Sequence, residues 1–346
     1  MIPQFLKAMH GAIAPRGLVT SKIPLPSVGL VAAASMWAFT KPHGFFFPKI
    51  VVLVVGAFLW AIRRNRAGAA FFLVALAATA GSPLPAVGLV GFPGMYQGGL
   101  LALAFYLLLM EAPTNLAWLK WAGVGLSAHA VLQRFGFDPF IRAAVLPSGH
   151  AIAWNGSHID LGAVLAMALP VSGPWAPVVV AGLWASEARG AWLGALFAVV
   201  PNKIRVLLLP VFLVSFFLTA PKDKARVELW KIAWSGFLDR PWLGYGPEQY
   251  QLVLESRRSG LDAVKGPKYS QAHAHHDLLE ALCCTGILGL LAYLWLVVPL
   301  LRDPSLLALF VVLKFNPVSF EVLCVAALVA ANVVQKRRAE QEKKEA

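Results

Sequence analysis

Long apolar runs, separated by short polar or proline-rich breaks, follow one another along most of this chain. A helix needs about 20 apolar residues to cross a bilayer, and shorter spans are tolerated inside a bundle. The pattern therefore predicts an all-α polytopic membrane protein with about twelve transmembrane helices. The predicted spans are 24–40, 45–62, 68–82, 88–110, 114–132, 157–171, 174–187, 190–201, 204–220, 277–301, 305–316 and 318–335.

The longest polar interruption, 221–276, predicts a partly helical loop. Apolar residues recur at helical spacing in its first half, at Val227, Trp230, Trp234, Phe237 and Leu238. An amphipathic helix rich in tryptophan suits a membrane interface. A turn-rich stretch, 241–247, follows, and after it we expect a short helix over 248–259 that ends at Gly260.

Composition and charge agree with a membrane protein. Hydrophobic residues make up 58% of the 346 positions and charged residues only 14%, against about 25% in ordinary domains. On a soluble protein the net charge of +13 would suggest nucleic acid. Here Lys and Arg collect at breaks that share one side of the membrane, as cytoplasmic loops do, so no nucleic-acid partner is expected.

The same charge bias predicts a bacterial inner-membrane protein with both termini in the cytoplasm. No clear signal-peptide cleavage site follows the N-terminal region, so we interpret 24–40 as the first span. The predicted parts are spans 1–9 in 1–220, a periplasmic loop in 221–276, spans 10–12 in 277–335 and a charged cytoplasmic tail in 336–346.

Three histidines, His273, His275 and His276, stand just before the span 277–301. Histidine takes up a proton near neutral pH, as a general base must, and a helix N-terminus helps to keep the base neutral. Asp277 and Glu280 have the opposite effect, because a nearby carboxylate favours the protonated imidazolium. A spacing of four residues would place Asp277 against His273 and Glu280 against His276. A metal site is a weaker alternative because no H-x-x-x-H face is present, and a structural cluster is the other.

Two arginines stand where an anion site is plausible on chemical grounds. Arg189 lies between two predicted spans, where it either pairs with Glu187 or holds phosphate oxygens with its planar guanidinium. Arg226 opens the long loop, where it contacts lipid headgroups or contributes to an anion-attracting surface. The chain contains no G-x-x-x-x-G-K-[ST] phosphate loop, which leaves ATP-driven transport without support.

Polar side chains inside predicted spans are costly and mark functional candidates. The chain places three of them near the predicted outer half, at His129, Asp160 and Glu321. An ion pair between Glu321 and Lys314 is the structural alternative for the last of these.

Three segments together resemble the O-antigen ligase and polymerase superfamily of bacterial membrane proteins. They are SEARGAWLGA at Ser186–Ala195, RVELWKIAWSGFLDRPWLGYGPEQY at Arg226–Tyr250, and HHDLLEALCCTGILGL at His275–Leu290, with a weaker match at Trp154–Pro170. The family's pattern implies about twelve spans and a long periplasmic loop, which the charge bias indicates independently.

The resemblance implies an inverting, metal-independent transfer of a glycan from undecaprenyl diphosphate to an acceptor hydroxyl, without a cofactor. His275 corresponds to the general base of the family. The next position, where the family has Asn, is His276 here, so the resemblance leaves open whether His275 or His276 is the base. Arg189 and Arg226 correspond to the diphosphate-binding arginines. Cys284 replaces a family acid, for which Glu280 is the expected substitute. Asp277 and Tyr250 are expected to support the site.

The shared motifs describe the donor half of such a site and leave the acceptor open. Lipid A core, as in a ligase, is the preferred acceptor, and a second lipid-linked glycan, as in a polymerase, is the alternative. A pilin acceptor and a flippase without chemistry are further alternatives. The flippase is disfavoured because the candidate residues gather at one predicted face. Membrane lipids and undecaprenyl-diphosphate-linked glycan are the expected partners.

Overall fold

The computed structural model describes residues 65–91, 98–112, 114–138, 150–201 apart from 154 and 156, 224–266 and 273–345. Within these ranges the chain forms α-helices joined by turns and short 3₁₀ segments, and no strand. The helices are α1 Arg66–Ala80, α2 Pro85–Val90, α3 Leu100–Leu109, α4 Ala117–Arg134, α5 His158–Ala168, α6 Ala176–Ser186, α7 Arg189–Val199, α8 Lys224–Asp239, α9 Tyr250–Arg257, α10 Ser259–Lys265, α11 Asp277–Val297, α12 Pro304–Leu313 and α13 Phe320–Glu345.

The all-α prediction is confirmed for the described residues, whereas the count of twelve spans stays a prediction. One segment there, Asp277–Arg302, is long and apolar enough to cross a membrane. Shorter apolar helices accompany it at Arg66–Ala80, Leu100–Leu109, His158–Val171, Arg189–Val199 and Pro304–Leu313. The predicted spans 24–40, 45–62 and 204–220 lie outside the described residues.

Helix α5 forms the centre of the described bundle. Its residues from Asp160 to Ala168 are all buried, and it contacts α4, α6, α7, α12 and α13. Small residues let its neighbours approach closely, as in membrane helix pairs. A Cβ atom added at Gly162 would lie 2.5 Å from the Cβ of Ala188. This close packing fixes the start of α7, where Arg189 lies.

Helices α8 and α9 of the long loop pack on α11, and α10 packs on α8. The predicted amphipathic helix is confirmed as α8, and its buried face is formed by Ala225, Leu229, Ile232, Ala233 and Gly236. These residues belong to an apolar cluster with α9 and α11. The opposite face exposes Trp234 and Leu238, as expected of a helix at a membrane interface.

The second predicted helix differs from the structure. Instead of ending at Gly260, the chain forms α9 and then α10, which passes through that glycine. Arg258 joins the two helices because it pairs with Glu255 at 2.7 Å and with Asp262 at 2.8 Å. The helical stretch stops before Gly266, whose φ of 85° suits glycine better than other residues.

The turn-rich stretch 241–247 is bonded to the backbone of α11. The amides of Tyr245 and Gly246 donate to the carbonyls of Cys283 and Cys284 at 3.0 and 2.7 Å, and the Ile287 amide donates to the Pro241 carbonyl at 2.8 Å. These bonds are possible because α11 is interrupted at Gly286, which has a φ of 65°. The loop is thereby fixed beside the N-terminal half of α11.

Candidate active site

A cavity of about 220 Å³ lies beside the N-terminal half of α11. Apolar side chains of α1, α3, α12 and α13 form much of its wall, and polar side chains come mainly from α11 and the segments before it. The polar lining consists of Glu248, His273, His276, Asp277, Glu280, Thr285, Tyr293 and Asn316. An apolar cavity with a few placed polar groups is the usual form of a site for a small ligand.

The carboxylate of Glu280 holds the segment that carries the histidines. Its Oε1 lies 2.5 Å from Nδ1 of His273, and its Oε2 accepts the amide of Ala274 at 3.2 Å. Burial lowers the pKa of His273, but the charge of Glu280 and the hydrogen bond to it outweigh burial and raise that pKa to about 9. His273 is therefore an imidazolium at neutral pH.

The expected pairing of histidines and acids was wrong in its register. Glu280 pairs with His273 rather than with His276, and Asp277 pairs with Lys314 rather than with His273. Helical spacing does not apply to the histidines because α11 begins only at Asp277. His275 has a φ of 55°, a left-handed conformation that non-glycine residues adopt rarely and often at functional sites.

His276 caps α11 and borders the cavity. Its Nδ1 accepts the amide of Leu279 at 3.4 Å, so the neutral ring carries its proton on Nε2. Its ring meets that of Trp230 edge-on, with centroids 5.9 Å apart. Burial lowers the pKa of His276, with Asp277 opposing and Lys314 assisting that shift, so this imidazole is neutral at pH 7.

Asp277 belongs to a polar network in the bundle interior. It forms an ion pair with Lys314, and its Oδ2 accepts the Tyr293 hydroxyl at 2.9 Å. The Lys314 ammonium also lies 3.5 Å from the ring centroid of Phe310. A buried charge requires such partners, and the network anchors the start of α11 to the segment after α12.

Arg226 reaches the same region from α8. Its Nη2 donates to Oδ1 of Asn316 at 3.0 Å, and Asn316 lines the cavity. The start of α7 lies on the other side of Asn316, because a Cβ atom added at Gly190 would be 3.5 Å from Nδ2 of Asn316. Asn316 is thus bonded to the helix of Arg226 and lies beside the start of the helix that Arg189 begins.

The alternative pairing of Arg189 with Glu187 is not present. Glu187 is paired instead with Arg134 at 2.7 Å and with His150 at 3.1 Å. Arg189 is exposed and has no ion pair or hydrogen bond among the described residues. Its guanidinium therefore stays available to an anion from outside that part of the chain.

Two of the three polar residues predicted inside spans, His129 and Asp160, form hydrogen bonds or ion pairs with other residues of the chain. His129 pairs with Asp138 at 3.1 Å, and Oδ1 of Asp160 accepts the Ser319 amide at 2.9 Å. Glu321 is exposed, and the alternative of an ion pair between it and Lys314 is not present, since Lys314 pairs with Asp277. These contacts give His129 and Asp160 structural roles.

Tyr250 packs behind the N-terminal half of α11 and is not among the residues that line the cavity. It is fully buried in the cluster of α8, α9 and α11, and its hydroxyl donates to the Leu229 carbonyl at 2.9 Å. The sequence did not single out Glu248 or Asn316, and it did not assign His273 a role in a site. Asn316 interrupts an apolar run just before Pro317, and this polar interruption is the sequence signal by which it could have been found.

The described residues form an all-helical bundle with a cavity that histidines and carboxylates line. Arg226 is bonded to Asn316 at the edge of this cavity. These features define the structural class of the protein. A family model described as O-Antigen ligase matches residues 161–294. The matched segment runs from α5 into α11 and includes Arg189, Arg226 and the histidines. The resemblance drawn from the sequence is confirmed, and the match supports placing the chain in the O-antigen ligase superfamily.

No curated protein matches the chain. The family consists of bacterial membrane glycosyltransferases of ligase or polymerase type, whose substrates are lipid-linked glycans in general. The residues outside the match, above all Lys314 and Asn316, belong to the site by geometry alone.

Proposed function

We propose that this protein is an O-antigen ligase-like transferase that moves a glycan from undecaprenyl diphosphate to a hydroxyl of lipid A core at the periplasmic face. The observation that supports it most is the position of Asn316, which is bonded to Arg226 and lies beside the start of the helix of Arg189, at the cavity that His276 lines. A guanidinium binds phosphate oxygens with two parallel bonds. Arg189 and Arg226 are therefore assigned to the diphosphate of the donor.

The chemistry needs one base and charge stabilisation. The acceptor oxygen attacks the anomeric carbon, the bond from that carbon to the phosphate oxygen breaks, and its electron pair stays on the diphosphate, where the arginines stabilise the charge. His275 accepts the proton of the attacking hydroxyl. His276 is less suited to this step because its Nδ1 caps α11 and its Nε2 carries the proton when the ring is neutral.

Reconstitution tests the proposal. The purified full-length chain is mixed with a lipid-linked oligosaccharide and, in separate reactions, with lipid A core, a second lipid-linked glycan or a pilin peptide. We expect glycan-modified lipid A core as the product. Elongated lipid-linked glycan would identify a polymerase instead, modified peptide a pilin transferase, and movement of the donor across a vesicle bilayer without any product a flippase. Each of these three results contradicts the ligase assignment.

Variants assign the roles. His275→Ala should lower kcat by 10²- to 10⁴-fold, as expected for loss of a general base, whereas His276→Asn keeps a good helix cap and most of the activity. Arg189→Ala and Arg226→Ala should raise KM for the donor, and lysine should restore little of the loss because it is not a planar fork. Arg258→Ala, in the same loop but paired with Glu255 and Asp262, is the matched control. Full activity of His275→Ala would overturn the base assignment.

A further inference from the structure

His273 lines the cavity, with one ring nitrogen fixed by a carboxylate and the other without a hydrogen-bond partner among the described residues. Nδ1 is held by Glu280 at 2.5 Å, and the side chain lines the cavity. Nε2 is buried and has no hydrogen-bond partner among the described residues, in a residue that is only 8% exposed. A buried polar nitrogen without a partner is rare in native proteins and calls for an explanation such as a ligand.

The protonation state makes Nε2 a donor. Because a carboxylate only accepts hydrogen bonds, Nδ1 carries a proton, and the raised pKa of His273, about 9, adds a second proton on Nε2 at neutral pH. The charged groups around this ring are Glu280 on α11 and Glu248 from the preceding loop, with His276 and Asp277 on the same cavity wall. The ligand atom it contacts must therefore be a hydrogen-bond acceptor.

The cavity favours an uncharged ligand over a phosphate. Glu248, Asp277 and Glu280 all line it. Lys314 offsets the charge of Asp277 and His273 that of Glu280, and the Glu248 carboxylate adds a further negative charge, which disfavours a phosphate group. Carboxylates accept hydrogen bonds from hydroxyl groups, and the apolar wall suits the carbon face of a ring. The volume of about 220 Å³ is about seven times the ~30 Å³ that one water takes up in the liquid, which is room for a single sugar ring.

We propose that His273, held by Glu280, is a substrate-binding residue that donates Nε2–H to an oxygen of a neutral sugar ring in this cavity. The inference rests on the proposed function and deepens it, because it places a saccharide next to the segment that carries the base. Glu280 is the positioning residue, since it fixes both the ring of His273 and the amide of Ala274. The sugar comes either from the acceptor or from the glycan of the donor.

Ligand-induced thermal stabilisation of the purified full-length chain tests the inference without turnover. The probes are phosphate-free core oligosaccharide, the free glycan released from the donor, and farnesyl diphosphate. We expect His273→Ala to bind one of the two saccharides about 10- to 100-fold more weakly than the unchanged chain, as expected for loss of a charge-assisted hydrogen bond. Binding of farnesyl diphosphate should be unchanged. The affected saccharide identifies the source of the sugar.

His273→Gln is the second variant, because its amide nitrogen reaches a position close to Nε2 and should restore part of the saccharide affinity. It also carries the test if His273→Ala fails to fold. His129→Ala is the matched control, since His129 is equally buried and paired with an aspartate but does not line the cavity. This control should bind all three probes normally.

The outcomes separate the inference from the proposed function. Unchanged saccharide binding in both His273 variants overturns the inference, and so does a loss confined to farnesyl diphosphate. An increase of transfer as pH rises through about 9 would make His273 the base and would also overturn it, because a donor loses its proton in that range. Normal saccharide binding without transfer to any acceptor contradicts the proposed function alone.

Discussion

The amide oxygen of Asn316 accepts a hydrogen bond from the Arg226 guanidinium at 3.0 Å, although the two residues are 90 positions apart in the chain. Asn316 is buried, lines the cavity and lies beside the first turn of α7. One neutral side chain thus fixes the direction of a guanidinium without neutralising its charge. That arrangement suits an arginine that must still bind an anion.

Replacement of Asn316 by alanine should therefore impair donor binding. Without the amide oxygen, the guanidinium of Arg226 loses a fixed partner and samples other rotamers. We expect KM for the lipid-linked donor to rise about 10-fold, the lower end of what a hydrogen bond to a charged group contributes, while KM for the acceptor changes little. Steady-state kinetics of the reconstituted enzyme measure both constants.

Asn332→Ala is the control for this prediction. Asn332 is as buried as Asn316, and its amide donates a hydrogen bond of the same length, 3.0 Å, to the Thr114 carbonyl. It does not line the cavity. Its loss should lower the melting temperature without changing KM for the donor. An equal effect of both variants on KM would show that Asn316 acts through stability alone.

Gly286 should be among the positions of α11 least tolerant of substitution. Its φ is 65°, and an added Cβ would lie 2.3 Å from the backbone of Trp242. Gly286→Ala therefore combines a backbone conformation, φ 65° and ψ −167°, that essentially only glycine adopts and that costs about 1–3 kcal/mol for other residues, with a backbone clash. We expect a loss of at least about 3 kcal/mol in the free energy of unfolding, measured by denaturation in mixed micelles.

The Gly173→Ala variant separates the cost of the backbone conformation from the cost of the clash. The φ of Gly173 is 56°, but no atom lies within 4 Å of an added Cβ. Gly173→Ala should therefore show only the conformational cost of about 1–2 kcal/mol. Similar losses in both variants would mean that the contact between the loop and α11 adds nothing to stability.

The sequence predicted the all-α fold, which the described residues confirm, and it singled out several residues that lie at or near the cavity, such as His276 and Glu280. Spacing of apolar residues predicted α8, and chemical type together with the family resemblance brought out the arginines and the histidines. Contacts between distant segments were not predictable in this way. Nothing in the local sequence indicates that Lys314 lies against Asp277, 37 positions away, because that pairing depends on how α11 and α12 pack.

The histidine segment shows why local rules failed there. Side chains four residues apart meet only within a helix, and α11 begins after the histidines. The left-handed residue His275 turns the chain, and His273 comes to lie against Glu280. A histidine in that conformation leaves no mark in the hydrophobic pattern.

The buried pair of Asp277 and Lys314 yields a stability prediction. Lys314→Met removes the counter-ion of the Asp277 carboxylate, which keeps the hydrogen bond from the Tyr293 hydroxyl. Removal of one partner of a buried ion pair costs about 3–5 kcal/mol. Asp277→Asn, which leaves Lys314 without its counter-ion, should cost a similar amount. The free energy of unfolding of each variant measures these losses.

The double variant Asp277→Asn with Lys314→Met should recover much of that stability, because both charges are then absent. The Lys231→Met variant serves as the control, since Lys231 is exposed and its pair with Glu228 lies on the surface, where a pair contributes at most about 1 kcal/mol. Losses that simply add in the double variant would contradict a direct pairing of Asp277 with Lys314.

The pair of His273 and Glu280 should make stability depend on pH in a defined direction. The pKa of His273 is about 9 in the folded chain and about 6.5 in an unfolded chain, so the folded state binds the proton more tightly. The resulting stabilisation is complete below pH ~6.5 and is lost as pH rises to about 9. We expect the difference in unfolding free energy between the unchanged chain and Glu280→Gln to shrink by up to about 3 kcal/mol between pH 6.5 and pH 9.5.

Denaturation of both proteins across this pH range measures the difference, and effects of other titrating groups cancel in it. Glu228→Gln is the control, because Glu228 pairs with the exposed Lys231 and its difference from the unchanged chain should stay below about 1 kcal/mol at every pH. A gap for Glu280→Gln that is constant, or that widens with rising pH, would show that His273 is not charged in the folded protein. In that case Nε2 would be an acceptor, and a role as base would become the better explanation of its position in the cavity.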